Sequence, residues 1–416
     1  MSSDRPFHPA TASGPAGPGP VPGPGPVSGP YDPRYGTGLA PAEVGRHRTW
    51  IEVDLGAIDA NVRTIKQAIG PRLLAAVVKA NAYGHGMVPL ARAALRSGAD
   101  VLAVATPEEA LALRATGISG PLLVMGHVAP EHARALVAAG VTLAVYTVET
   151  ARAVSAAAKA LGKPAAVHLK VDVGLCRVGV TPAEAVAFAG LIAGLPGVEV
   201  EGVFTHFSCA DEGDVERTAE EFQAFQGTLA ALESAGHSFR LRHAAASAAF
   251  FASPDTWLDM VRAGIAIYGY YPYAGCRQAV PLRPALSFKT RITRLRRVPA
   301  GTRVGYGLTY TCPEDTVIAT IPVGYADGLD KHLGNKGNVL VRGRRVPRAG
   351  TIAMDLSMLD VGKLDRVELG DEVVIIGGQG SDRISLEEMS RDAGTAIEHT
   401  LTLLSGRPSR VYLGGS

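Results

Sequence analysis

Between residues 73 and 269 the chain repeats one pattern: a short, nearly all-apolar run, then a stretch rich in alanine. The runs are "LLAAVVKA", "VLAVAT", "LLVMG", "TLAVYT", "AAVHLKVD", "VEGVFTHFS", "FRLRHAAAS" and "VRAGIAIYG". A strand apolar at successive positions must be covered on both faces, which is the condition of a parallel sheet wrapped by helices. The segments between them supply such helices. "MVPLARAALRSGA", "PEEALALRATG", "PEHARALVAAG" and "TARAVSAAAKALG" carry apolar residues at helical spacing and close on or near glycine. Eight such strands in roughly 220 residues is the number and size of a (β/α)₈ barrel, with a doubly wound sheet as the alternative.

Beyond about residue 280 the texture changes. "ALSFKTRITRLRRVPAGTRVGYGLTY", "TVIATIPVGYADG", "NVLVRGRRVPRAGTIAMDLSMLDVG" and "DEVVIIGG" are β-rich and punctuated by glycine and proline. The expected organisation is a Pro/Gly-rich disordered tail over 1–45, an α/β barrel over 46–280 and a mainly β domain over 281–416. The strand around Trp50 to Val53 is a candidate to join the β domain, with Asp54 or Asp59 capping the helix after it. A late helix is expected at "SLEEMSRDAG", capped by Ser385 with Glu388 three residues on.

Composition excludes several classes. Of 416 residues 47% are hydrophobic, enough for a large core, and the formal net charge is only +2, which makes no case for nucleic acid or an anionic membrane. The four cysteines, Cys176, Cys209, Cys276 and Cys312, stand far apart, which favours a reduced cytoplasmic protein over a disulfide scaffold or zinc knuckle. No metal site is expected, no run is long enough to span a bilayer, and the N-terminus lacks the apolar heart of a signal peptide. GxGxxG, GxxxxGK[ST] and HExxH are all missing from the positions where they carry meaning.

Polar residues recur where the barrel strands end: Lys79 on the first, Lys170 and Asp172 on the fifth, His206 on the sixth, His243 and Ser247 on the seventh, Arg262 within the eighth. The C-terminal rim of such a barrel is its active-site face, so these residues would converge there. A lysine there either snorkels to solvent or, desolvated, serves as a Schiff-base nucleophile toward an aldehyde such as pyridoxal phosphate. His206 taken alone reads first as a satisfied core or rim histidine, with a catalyst as the alternative. Arg262 is harder to leave without a role, because a permanent cation in a strand demands a strong acceptor. "RAGI" offers backbone N–H groups suited to an anion, and "GYGLTY" and "GYADG" hold tyrosines either packed at bends or exposed there.

Together these stretches resemble the bacterial alanine racemases, fold-type III pyridoxal-phosphate enzymes with a (β/α)₈ barrel and a C-terminal β domain, from about residue 47 to Tyr412. "VVKANAYGHG", "KVDVGLCRVG", "THFSCADE", "MVRAGIAIYG", "VGYGLTY", "IPVGYADG" and "MDLSM" occur in family order. The resemblance implies L- and D-alanine interconversion by two bases, Lys79 and Tyr306, with Lys79 also carrying pyridoxal 5'-phosphate. It implies Tyr83, Ser247, Gly264 and Ile265 around the cofactor phosphate, Arg262 at the pyridine nitrogen and His206 positioning Arg262. Arg177 would meet the substrate carboxylate, aided by Lys170, carbamylated in many members. Tyr325, Met354 and Asp355 would line substrate access, supplied with Tyr306 by the partner in a head-to-tail homodimer.

Two departures stand out. "HAAAS" has Ala246 where the family usually has asparagine, and "SGRPSR" has Gly406 where it usually has a tyrosine expected to donate to the phosphate. Losing such a charged hydrogen bond costs about 1.5–3 kcal/mol when nothing compensates. They leave a larger amino acid such as serine, or a specialised-metabolism intermediate, as an alternative substrate. The same residues also admit a pyridoxal-phosphate decarboxylase or a non-catalytic cofactor-binding protein.

Overall fold

The computed structural model describes residues 48–273, 275–276 and 280–414; the tail expected over 1–45 lies outside the described residues. The chain opens with β1 (Thr49–Asp54) and a helix, Leu55–Ile69, capped by the Asp54 carboxylate, which accepts from Ala57 N–H at 3.0 Å. Asp59 sits inside that helix and binds Arg63 instead.

All eight apolar runs form strands: β2 (Leu73–Val77), β3 (Val101–Val104), β4 (Leu122–Val124), β5 (Thr142–Val145), β6 (Ala165–Lys170), β7 (Val198–Phe204), β8 (Leu241–His243) and β9 (Met260–Ala263). They pair in parallel in the order β8-β7-β6-β5-β4-β3-β2-β9. The end strands meet where Arg262 N–H donates to Ala245 C=O at 3.0 Å, so the sheet nearly closes on itself. Helices cover its outer surface and bury leucine, valine and alanine against it. The strand order makes it a near-closed barrel rather than an open doubly wound sheet: neighbours run in chain order from β2 to β8 without a reversal, and β9 pairs back onto β2.

β1 leaves the barrel and pairs antiparallel with Leu286–Arg291 and parallel with Ser409–Leu413, inside a seven-stranded sheet of otherwise C-terminal strands. Its Trp50, Ile51 and Val53 are fully buried; each aliphatic side chain so buried contributes about 1.5–3 kcal/mol. A smaller sheet joins Arg294–Val298, Thr316–Ile321 and Ser357–Asp360. Two short helices follow late in the chain, Leu386–Ala393, capped by Ser385 as expected, and Ile397–Leu403, which the β-rich texture does not suggest. Among the described residues no helix is long and apolar enough to cross a membrane, and no cluster of His, Cys, Asp and Glu could hold a metal ion.

Candidate active site

Lys79 stands just past β2, and the chain after it turns the wrong way for L-residues. Ala80, Asn81, Ala82 and Tyr83 all have φ between 50° and 54°, a left-handed turn costing roughly 1–2 kcal/mol per residue. The turn is closed by Ala82 N–H to Val78 C=O (2.9 Å), Gly84 N–H to Ala80 C=O (3.1 Å) and Gly86 N–H to Asn81 C=O (2.9 Å). The Glu109 carboxylate accepts from Ala80 N–H at 2.6 Å. This geometry sends Lys79 into a cavity of about 770 Å³ at the C-terminal mouth of the barrel.

The cavity gathers Lys79, Tyr83, Lys170, Arg177, His206, Ala246, Ser247, Arg262, Gly264 and Ile265, residues from both ends of the barrel sequence. Its floor is cationic. Arg262 is 3% exposed, and donates to His243 Nδ1 (2.8 Å) and to the carbonyls of Thr205 (2.8 Å) and Ala244 (2.7 Å). Burial lowers its pKa to about 9, which leaves it charged at neutral pH. Since the guanidinium can only donate, His243 must be neutral with its proton on Nε2, where it meets His168 Nδ1 at 2.9 Å. His168 Nε2 then meets Glu201 at 3.2 Å, and Glu201 in turn pairs with Arg240. A single direction of donation runs from the cavity floor through the barrel to a surface ion pair. The imidazole bonded to Arg262 is that of His243, from β8, whose end meets β9.

The amines are unusual. Burial, then the Arg177 charge, lowers the Lys79 pKa; burial, then Arg262, lowers that of Lys170 well below the lysine range. Lys170 lies 4.8 Å from the Phe204 ring centroid. The Arg177 loop is organised by Asp172, whose carboxylate accepts from the N–H groups of Gly174, Cys176 and Arg177 at 2.9–3.1 Å.

Elsewhere in the lining Ser247 Oγ accepts from Gly264 N–H (3.0 Å) and Ala266 N–H (3.3 Å). A Cβ on Gly264 would come within 2.8 Å of the Tyr83 hydroxyl, so the glycine keeps this recess open. A recess with hydroxyls and oriented N–H groups, a buried cation with no described carboxylate partner, and an amine at the rim fit a phosphorylated aromatic aldehyde.

Tyr306, Tyr325, Met354 and Asp355 do not line this cavity. They lie on loops of the β domain, Tyr306 with 75% of its surface exposed and Asp355 paired with Arg407 at 2.8 Å. Gly406 is also exposed and outside the cavity. The residues that the C-terminal segment does bring to the wall are Glu398, His399 and Thr402, from the helix Ile397–Leu403. No motif or spacing in the sequence marks Glu398, whose pKa is raised by burial and by the nearby Asp211 charge.

The model of "Alanine racemase, N-terminal domain" matches residues 53–272, and that of "Alanine racemase, C-terminal domain" matches residues 285–412. The chain belongs to the alanine racemase family. Among its relatives, the alanine racemase of Desulfosudis oleivorans is 47% identical over 379 residues, covering 88% of this chain and 97% of that protein. The alanine racemase of D-cycloserine-producing Streptomyces lavendulae superposes with a TM-score of 0.85 at 39% identity, covering 89% of this chain and 98% of that one. The alanine racemase of Bacillus anthracis, solved with bound L-Ala-P, superposes with a TM-score of 0.83 at 36% identity over 89% of this chain and 96% of its own. Alanine racemase family enzymes use pyridoxal 5'-phosphate, the cofactor class that the recess and rim amine fit.

Proposed function

We propose that this chain interconverts L- and D-alanine with pyridoxal 5'-phosphate, in the cytoplasm, as a head-to-tail homodimer whose two sites each need both subunits. The observation that carries the reading is the half-buried Lys79 in one cavity with the Ser247–Gly264 recess and the buried Arg262. When bound, the cofactor supplies an aldehyde for covalent attachment and a conjugated ring that takes up the charge left as a Cα proton departs. Tyr83, Ser247 and the N–H groups near Gly264 and Ile265 would hold its phosphate, and Arg262 its ring nitrogen, with His206 beside them.

Racemisation needs a proton acceptor on each face of Cα. Lys79 serves one face: its lowered pKa leaves more neutral amine at neutral pH than a surface lysine has. Arg177 binds the substrate carboxylate, and Lys170 lines the wall behind it. The other face is served by the phenol of Tyr306 of the partner subunit, with Tyr325, Met354 and Asp355 of the partner subunit around it. The support is an apolar patch: Tyr306, Leu308, Tyr325, Met354 and Leu356 are five of the eight exposed large hydrophobic residues described. Backbone and side-chain bonds tie their loops together, including Thr351 Oγ1 to Tyr306 C=O (3.0 Å) and Tyr325 N–H to Ala353 C=O (3.0 Å). A clustered patch of that kind marks an interface.

Mixing Lys79→Ala with Tyr306→Phe chains, each inactive alone, tests the arrangement. After reassortment about a quarter of wild-type activity should return, because half of the dimers are mixed and each of those holds one intact site. Failure to complement would overturn the shared site. Chiral chromatography with L-alanine and L-serine tests the substrate: a higher kcat/KM for serine would displace alanine.

A further inference from the structure

We propose that Arg410 is a positioning residue for Lys79: from the C-terminal strand it clamps the left-handed turn that aims the amine into the cavity. The inference rests on the reading of Lys79 given above. The internal bonds of residues 78–86 close the turn, yet four consecutive non-glycine residues at positive φ remain in a conformation they disfavour. Something outside the turn has to hold it. Two groups from the far end of the chain do so. Arg410 donates through Nε (2.9 Å) and Nη2 (2.8 Å) to the Gly84 carbonyl, and the Tyr412 hydroxyl donates to the His85 carbonyl at 3.2 Å.

The guanidinium cannot swing away. It is 3% exposed and also donates to the carbonyls of Ser405 (2.7 Å), Leu404 (3.0 Å) and Pro408 (3.1 Å). The fork thus joins the carbonyls of one bend, 404–408, to the carbonyl that ends the Lys79 turn. An ammonium could not reach them together, since it lacks the planar array of five N–H donors. The fit is close on the barrel side too: a Cβ at Gly84 would overlap the Leu401 carbonyl, and one at Gly86 would overlap the Tyr412 hydroxyl. Both glycines have positive φ, at +79° and +108°. With the fork removed, the Gly84 carbonyl loses two charged donors and the turn is free to relax, carrying the Lys79 backbone with it.

The test compares wild type with Arg410→Lys, Arg410→Met, Tyr412→Phe and Ile192→Val, the last a buried change in the helix Pro182–Ala193, outside the cavity lining, that controls for general destabilisation. Two quantities are read: amide hydrogen exchange of the 80–86 segment in cofactor-free protein, and the Kd for pyridoxal 5'-phosphate followed by the absorbance of the bound cofactor. Both Arg410 variants should exchange faster across 80–86 and bind the cofactor about tenfold more weakly, Tyr412→Phe about threefold. Ile192→Val should change neither. Should Arg410→Met fail to fold, Arg410→Lys and Tyr412→Phe decide. Unchanged exchange and unchanged Kd in those two, with Lys79-dependent binding intact in wild type, would overturn this inference alone. Wild-type protein that never takes up the cofactor would overturn the reading of Lys79 and this inference with it.

Discussion

At the residue scale the site is governed by burial acting on bases. His85, His168, His206 and His243 are all pushed below the ordinary histidine range, first by burial, with His85 lowered to about 4. In the unfolded chain each takes up a proton below about pH 6.5, whereas the folded chain resists it. Their contribution is therefore complete above about pH 6.5 and is lost as pH falls toward 4, by up to about 3 kcal/mol for His85 alone. Denaturant midpoints measured at intervals between pH 7 and pH 4 should fall steadily, and a flat profile would show that these rings are not neutral inside. Sequence reveals this scale unevenly. Lys79 and Arg262 stand out as charges in apolar runs. His168 lies in an equally apolar run without any accompanying signal, and which of His206 and His243 reaches Arg262 depends on strand adjacency, which no residue spacing reports. Matching a motif fixes a position along the chain, not the side of the backbone that faces the cavity.

At the element scale the eight barrel strands are legible because a doubly covered strand must be apolar throughout. The helix Ile397–Leu403 is not: it is short, and Ala396 provides no side-chain cap, so nothing in its sequence marks a start. Its contribution of Glu398, His399 and Thr402 to the cavity is hidden with it. The opposite case is Leu55–Ile69, whose Asp54 cap is visible in both sequence and structure. Asp54→Ala should cost about 1 kcal/mol, read as a lowered denaturation midpoint. A loss under a few tenths would mean the sheet bonds of β1 already hold the helix start. Because Asp54 ends the strand that bridges barrel and β domain, that loss should appear in a single cooperative transition.

At the scale of the whole molecule the two-part architecture follows from the change in texture near residue 280, but the division is not a cut between independent pieces. β1 belongs by sequence order to the barrel and by hydrogen bonding to the C-terminal sheet. The exposed loops carrying Tyr306 and Met354 reach outward rather than toward the chain's own cavity. Placing a charge in that patch should separate catalysis from cofactor uptake. Met354→Asp is expected to sediment as a monomer, still take up pyridoxal 5'-phosphate through Lys79, and lose racemisation. A dimeric, fully active Met354→Asp protein would refute the shared site.

The position of β1 also has a bearing on synthesis. The ribosome makes this strand before either of its neighbours, Leu286–Arg291 and Ser409–Leu413. A nascent chain must therefore carry an unpaired edge bearing Trp50, Ile51 and Val53 until Ser409–Leu413 has emerged. Messages truncated before Ser409 would release products with that edge still open, which makes residues 409–413 a checkpoint on closure of the sheet.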